Sequence, residues 1–303
     1  MPRIVFLLSP KLHLLDLAGP AQVFSTAADL GCDYPLVYLG EQEDVPTAQG
    51  ATLRAETDWP ALRPDDLLLV PGWRAWDLTP RNGPGPRAVE LLREHHAAGG
   101  TVASVCAGAD ALGRAGLLDG RRCTTHHALQ DELARRYPKA TVVRDVLYVV
   151  DQRVVSSAGI ASGIDLALHL VAVRHGPRTA ARVARAMVVY ARRNGDESQR
   201  SAMLRHRAHL SEVAHRVQDV IDARYPEPLP LGELAAAAGV SERTLTRAFR
   251  AATGLTPLRY QQVLRLERAE HLLGHGATMD AAARAVGFED PRMLRRLRSR
   301  TPG

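Results

Sequence analysis

Hydrophobic residues recur along this chain in two rhythms, and the rhythm changes near residue 190. Before it, the runs Arg3–Leu8, Tyr34–Leu39, Leu67–Val70 and Thr101–Val105 are short, apolar and rich in β-branched residues. Helical patterns separate them, notably Leu14–Leu30 and Arg87–Ala98. That alternation predicts an α/β domain of the flavodoxin-like kind, a mostly parallel sheet with helices on both faces. Leu147–Val150 and Val154–Ser157, joined around Asp151-Gln152, predict a hairpin at the sheet edge. Ile164–Val173 and Arg178–Tyr190 predict two closing helices. Arg192–Ser201 is polar, carries a glycine and reads as a linker.

Beyond the linker the period is helical throughout. In Leu231–Tyr260 a first helix places Leu234, Ala235 and Ala238 on one face and stops at Gly239, a residue suited to a left-handed cap. Ser241 offers an N-cap oxygen to a second helix. There Leu245, Ala248, Phe249 and Ala252 recur at i, i+3, i+4, i+7, a buried stripe, while Arg243, Arg247 and Arg250 lie opposite. A helix pair whose second member buries one face and shows arginines on the other suits a DNA major groove. A plain helical hairpin with a solvated basic face is the other reading. A second copy weakens it: Thr278–Arg298 gives another Ala-rich helix, a turn at Gly287, and Asp290-Pro291 opening a helix that shows Arg292, Arg295, Arg296 and Arg298. Pro257–Leu273, with Leu266, Ala269 and Leu273 on one face, reads as the connecting helix. The expected division is 1–191, a linker at 192–207, and an all-α domain at 208–303.

Charge placement agrees with that picture. The 303 residues carry a net charge of +6. From Arg243 to Gly303 there are 12 arginines against 5 acidic residues, so the rest of the chain is close to neutral. Positive charge gathered on the reading helices is what attraction to phosphates requires. Hydrophobic content of 46% suffices for packed cores. Three cysteines make no disulfide framework, the N-terminus has no plausible cleavage site, and no run approaches a membrane span. A cytoplasmic protein with no membrane association is expected.

One position carries chemistry in its surroundings. Cys106 follows the strand Thr101–Val105 at once, and Ala107-Gly108-Ala109 opens a helix. Such a strand-to-helix elbow holds a side chain at the carboxyl edge of the sheet, where ligands bind in open α/β folds. A helix N-terminus favours negative charge, so a stabilised Cys106 thiolate is expected. An ordinary buried thiol is the alternative. Asp16 reads equally well as a first-turn acid of its helix or as a pocket partner. His126 and His127 either cap and pack or serve the pocket. Cys123-Thr-Thr-His126-His127 lacks a second ligand pair, so no metal site is expected. Trp73 and Trp76 line a pocket mouth or fill the core.

Two resemblances follow from these residues. Phe249, Thr253-Gly254-Leu255-Thr256-Pro257, Tyr260, Arg265 and Leu272-Leu273, between two helix-turn-helix units, resemble the AraC/XylS DNA-binding domain over the last third of the chain. By that pattern Arg243, Thr246 and Arg247 face base edges from the first reading helix, and Arg292, Arg295 and Arg296 from the second. Leu294 and Arg298 stand where the family has phenylalanines, and the family's closing segment is lacking, which predicts a less well packed second unit. LLDLAGPAQVF (Leu14–Phe24), ASVCAGADALGRAGLLDGRRCTTHH (Ala103–His127) and SSAGIASGIDLALHLV (Ser156–Val171) resemble the ThiJ/PfpI superfamily, in particular the sensor half of GlxA-type regulators. This resemblance implies that Asp16 approaches the Cys106 sulfur, that the amides of Gly72 and Ala107 face the same pocket, and that His126 lies nearby.

Peptidase and amidase members place a histidine directly after the nucleophile; here Ala107 stands there, so the obvious general base is missing. Hydratase-type members pair an acid in the position of Asp16 with the cysteine. The two resemblances together imply a regulator rather than an enzyme. It would bind double-stranded promoter DNA, dimerise through its α/β domain, answer an unknown small-molecule effector or oxidant at Cys106, and use no cofactor. As an activator it would also meet RNA polymerase. The competing class is a cysteine-dependent hydratase or hydrolase with a vestigial helical tail.

Overall fold

The computed structural model describes residues 2–75, 78, 83–189, 195–196, 199, 206–207, 209–274 and 276–298. The chain divides into two compact units, Met1–Gln199 and Arg200–Gly303.

In the first unit the strands in chain order are β1 Ile4–Leu8, β2 Leu36–Gly40, β3 Asp44–Pro46, β4 Thr52–Arg54, β5 Leu67–Val70, β6 Thr101–Val105, β7 Arg122–Cys123, β8 Thr141–Val142, β9 Tyr148–Asp151 and β10 Val154–Ser157. The helices are α1 Leu14–Asp29, α2 Pro86–Ala97, α3 Gly108–Arg114, α4 Gln130–Arg136, α5 Ser162–His175 and α6 Pro177–Ala186. The main sheet runs β2-β1-β5-β6-β10-β9. Every pairing in it is parallel except that of β9 with β10, the expected edge hairpin. β1 and β5 are buried along their whole length, as strands covered on both faces must be.

Strand alternation splits the interior into two cores. Ile4, Phe6, Leu69 and Val105 pack with Val23 and Phe24 of α1 and with Leu166 and Val171 of α5. Val5, Leu7, Leu68 and Val70 pack on the other face with Leu92 of α2, Leu112 of α3 and Leu133 of α4. The helix expected over Arg178–Tyr190 ends at Ala186. The β3–β4 hairpin, the short parallel pair β7–β8 and α4 have no counterpart in the sequence reading. Most of the expected linker, 192–207, lies outside the described residues. Within it, Gly195 O accepts from Leu147 N at 2.8 Å, and Gln199 Nε2 donates to Thr125 O and Val146 O, each at 3.0 Å. These contacts extend the first unit past residue 191.

The second unit consists of α7 Glu212–Arg224, α8 Leu231–Ala238, α9 Glu242–Thr253, α10 Pro257–Gly274, α11 Met279–Ala285 and α12 Pro291–Arg298. Gly239 adopts the left-handed conformation at φ 69°, and Ser241 Oγ accepts from Thr244 N at 3.3 Å. Both signals act as expected. α7 was missed, although Ser211 caps it and Val217 and Ile221 are buried. Its stripe joins Leu234, Leu245, Phe249 and Tyr260 in one core. A second core gathers Leu266, Ala269, Ala282, Val286, Phe288, Leu294 and Leu297. The expectation of a poorly packed second unit is corrected here. Leu294 is fully buried, and Phe288 and Leu297 fill the remaining space, so no phenylalanine is needed on α12. Arg298 turns toward α10, with Nε 4.0 Å from Glu270.

Candidate functional sites: the Cys106 elbow and the reading helices

Cys106 sits between β6 and α3 at φ 56°, the left-handed region that a residue with a Cβ rarely occupies. Such strain is held only where neighbours enforce it. Cys106 N donates to Ser157 O at 3.0 Å, and Thr125 Oγ1 donates to Cys106 O at 2.7 Å. Two glycines close the walls. A Cβ on Gly72 would overlap Asp16 Oδ2 and stand 2.6 Å from Cys106 Cβ. A Cβ on Gly159, itself at φ 111°, would overlap Cys106 Cβ and lie 2.9 Å from Sγ. Both positions exclude any side chain.

Asp16, in the first turn of α1, is fully buried beside this elbow. Its Oδ1 accepts from Ile160 N at 2.7 Å, whereas its Oδ2 has no partner of hydrogen-bonding geometry. Burial pushes the carboxyl up to about 6, opposed by the amides of Ile160 and Gly72 and by the Cys106 thiol. Burial also pushes the Cys106 thiol far up, and negative charge on Asp16 pushes it the same way. The Ala107 amide opposes both. The expected thiolate is therefore corrected: desolvation and a neighbouring carboxylate outweigh the helix end. Both directions favour placing the pair's negative charge on Asp16 rather than on the thiol.

The structure thus brings Asp16, Gly72, Cys106 and Ala107 together. His126 acts as a cap: its Nδ1 accepts from Ala128 N at 3.3 Å, and its ring lies 4.1 Å from that of His127. Burial, followed by the charges of His127 and His13, lowers its pKa and so disfavours the charged ring. Trp73 fills the second core at 2% exposure; Trp76 lies outside the described residues. Among the described residues no three His, Cys, Asp or Glu side chains gather to hold a metal. A groove of about 650 Å³ between Trp59–Leu62 and α2 holds none of the expected site residues. Sequence reasoning missed Gly159 and Ile160, the latter delivered from 144 residues beyond Asp16.

The second site is on the surface. Arg243, Thr246, Arg247 and Arg250 of α9 line a shallow groove of about 480 Å³ with Glu242 and Leu231. The three arginines are exposed, and Thr246 Oγ1 donates to Glu242 O at 2.9 Å. Glu242 was overlooked. Its Oε1 reaches across to the start of α8, 2.9 Å from where a Cβ on Gly232 would stand. On α12, Arg292, Arg295 and Arg296 are exposed opposite the buried Leu294 and Leu297. Asp290 Oδ1 caps that helix by accepting from Arg292 N at 2.8 Å.

A strained cysteine elbow in a doubly wound domain, joined to two helix-turn-helix units with arginine faces, defines a class: regulators that pair an α/β sensor-type domain with a DNA reader. Comparison with known proteins is specific. The DJ-1/PfpI family model matches residues 2–173 and a helix-turn-helix domain model matches residues 234–302. The chain belongs to the DJ-1/PfpI family and carries an AraC-type helix-turn-helix domain. The HTH-type transcriptional regulator CdhR of Pseudomonas aeruginosa is 28% identical over 94% of this chain and 84% of its own length. An isonitrile hydratase of Pseudomonas putida is 35% identical over 59% of this chain and 74% of its own. The crystal structure of an AraC family transcriptional regulator from Pseudomonas putida superposes with a TM-score of 0.55 at 25% identity. It covers 62% of this chain and all of that one. The chain is a DNA-binding transcription regulator.

Proposed function

We propose that the first unit is the sensor of a homodimeric, cytoplasmic activator, and that a small molecule bound at the Cys106 elbow governs how the second unit holds promoter DNA. Asp16 Oδ2 carries this reading. It is a buried acceptor whose neighbouring donors, the Gly72 amide and the strained Cys106 thiol, do not reach hydrogen-bonding geometry. Leaving such an acceptor unmade costs about 1–3 kcal/mol, so an effector that presents an N–H or O–H group there recovers that amount on binding. We divide the roles as sensor 1–191, a linker 192–207 whose Gly195 and Gln199 pack on the sensor, and reader 208–303. On the reader, Arg243, Thr246 and Arg247 face bases from α9, and Arg292, Arg295 and Arg296 do so from α12. RNA polymerase is the partner that activation requires.

Burial and the Asp16 carboxylate disfavour the Cys106 thiolate, the attacking form, which argues against nucleophilic turnover. The decisive experiment compares wild type, Asp16→Asn and Cys106→Ser in three assays: operator binding, reporter response to cell extracts rich in small metabolites, and hydration of an alkyl isocyanide. Both variants are expected to bind operator as wild type does and to lose the response, with no isocyanide consumed by any of the three. Turnover by wild type that both variants abolish would establish the hydratase reading instead. An unchanged response in both variants would reduce the elbow to a packing feature.

A further inference from the structure

Arg265 lies in the middle of α10, and its guanidinium touches at once the segment leading from α7 into the first helix-turn-helix unit and the turn of the second. Nε donates to Tyr225 O at 2.6 Å, and Nη2 donates to Pro226 O at 3.1 Å and Glu227 O at 2.9 Å. These carbonyls follow the C-terminal end of α7, where helix geometry leaves acceptors unpaired and a cation is favoured. Nη1 donates to Gly287 O at 3.0 Å, in the turn between α11 and α12. The same cation stands 5.4 Å from the ring centroid of Phe288, a core residue of the second unit. Only a planar fork of five donors spans four carbonyls on two segments; an ammonium is a single point.

A second observation shows that the same two segments meet directly. Gly287 lies at φ 80°, and a Cβ there would overlap Pro226 O. Gln261, one turn before Arg265, provides a contrast. Its Nε2 donates to Tyr225 O at 3.0 Å and Glu227 O at 2.7 Å, on the α7 side alone.

We propose that Arg265 is a specificity-determining residue: resting on the reading that both α9 and α12 contact bases, it sets the spacing between the two DNA segments that one chain reads. The 18 residues of α10 span about 27 Å. That is most of the roughly 34 Å between major-groove segments one DNA turn apart, a span that a connecting helix of this length can bridge. The Arg265 clamp sets the rotation of the second unit about that helix. Each inserted base pair turns the second segment by about 35°, which a rigid clamp does not follow.

The test uses full-length protein and its selected operator, with the spacer between the two contacted segments lengthened or shortened by one base pair. Wild type is expected to lose about tenfold in affinity on either altered spacer, the scale of a misplaced base contact. Arg265→Lys, which serves the α7 carbonyls but cannot reach Gly287 at the same time, is expected to narrow that ratio to about threefold or less. Gly287→Ala, which forces the segments apart, should narrow it likewise. Gln261→Leu is the control: it should lower thermal stability and keep the wild-type ratio. The proposal is overturned if Arg265→Lys keeps the tenfold ratio, if Gln261→Leu loses it equally, or if wild type is indifferent to spacing.

Discussion

The elbow of the first unit and the reading helices of the second hold their functional atoms in opposite ways. At the elbow the polar atoms point inward: Asp16 is fully buried, Cys106 is 6% exposed, and both pKa values are pushed up by desolvation. On α9 and α12 the arginines point outward, opposite stripes led by Phe249 and Leu294. A buried charge is governed by burial and by its nearest dipoles, whereas an exposed one is governed by mobile ions and its ligand. The two sites therefore answer to different variables, pH inside and salt outside.

Salt gives the largest expected effect. With 12 arginines in the last 61 residues, six or more phosphate contacts are within the reader's means. Affinity for operator should then fall by about 10³ or more between 50 and 200 mM salt. Cys106→Ser should show the same slope, because the elbow contributes no counterion release. A slope that changes with Cys106 would tie the elbow into the DNA contact itself and erase the contrast.

Next comes pH, acting on the elbow alone. The folded-state value of about 6 for Asp16 lies above its ordinary 3.8. Its contribution to stability is thus complete below about pH 4 and is lost as pH rises through 6. By linkage the difference is about 3 kcal/mol. Asp16→Asn does not titrate, so its stability relative to wild type should improve by up to that amount between pH 4 and pH 8. All three tryptophans, at 59, 73 and 76, belong to the first unit, so urea unfolding followed by tryptophan fluorescence reads this unit. A pH-independent difference would mean that Asp16 ionises at its ordinary value. The same variant should also alkylate faster at Cys106, by about tenfold, once the opposing carboxylate is gone.

The contrast also explains what was legible in the sequence. A helix face is a local property, so the spacing of Leu245, Phe249, Arg243 and Arg247 could be read directly, and their burial and exposure follow it. The strand before Cys106 and the turn after it were equally local. The protonation state of Cys106 was not. It depends on Asp16, 90 positions earlier, and on the closure of Gly72 and Gly159 over the sulfur, so a rule about helix ends gave the wrong sign. The Arg265 clamp was hidden for the same reason. Arg265 could be named as part of a motif, but its four carbonyls lie 22 to 40 residues away.

Within the reader, the arginines should rank by their placement. Arg247→Ala removes a side chain from the groove shared by α8 and α9, where a bidentate guanine contact is worth about 1–3 kcal/mol of discrimination. It should weaken operator binding and relax preference at one base pair when affinities are measured over all single-base variants. Arg295→Ala on α12 should do less. An equal loss on every sequence for Arg247→Ala would make that residue a phosphate contact, with its effect moved into the salt slope.

The smallest expected effect concerns the caps, and it tests whether the two units are separate in energy as well as in chemistry. Ser241 Oγ caps α9 by accepting from Thr244 N, and Thr278 Oγ1 caps α11 by accepting from Ala281 N at 3.2 Å. Replacing either with alanine leaves one amide of the first turn unpaired, at about 1 kcal/mol. Neither change touches an arginine, so the salt slope and base preference should stand while the helical signal of the second unit melts a few degrees earlier. Tryptophan fluorescence, which reads only the first unit, should keep its midpoint. A midpoint that moves with Ser241→Ala would show that the two units unfold as one, and that the elbow is coupled in energy to the reading helix.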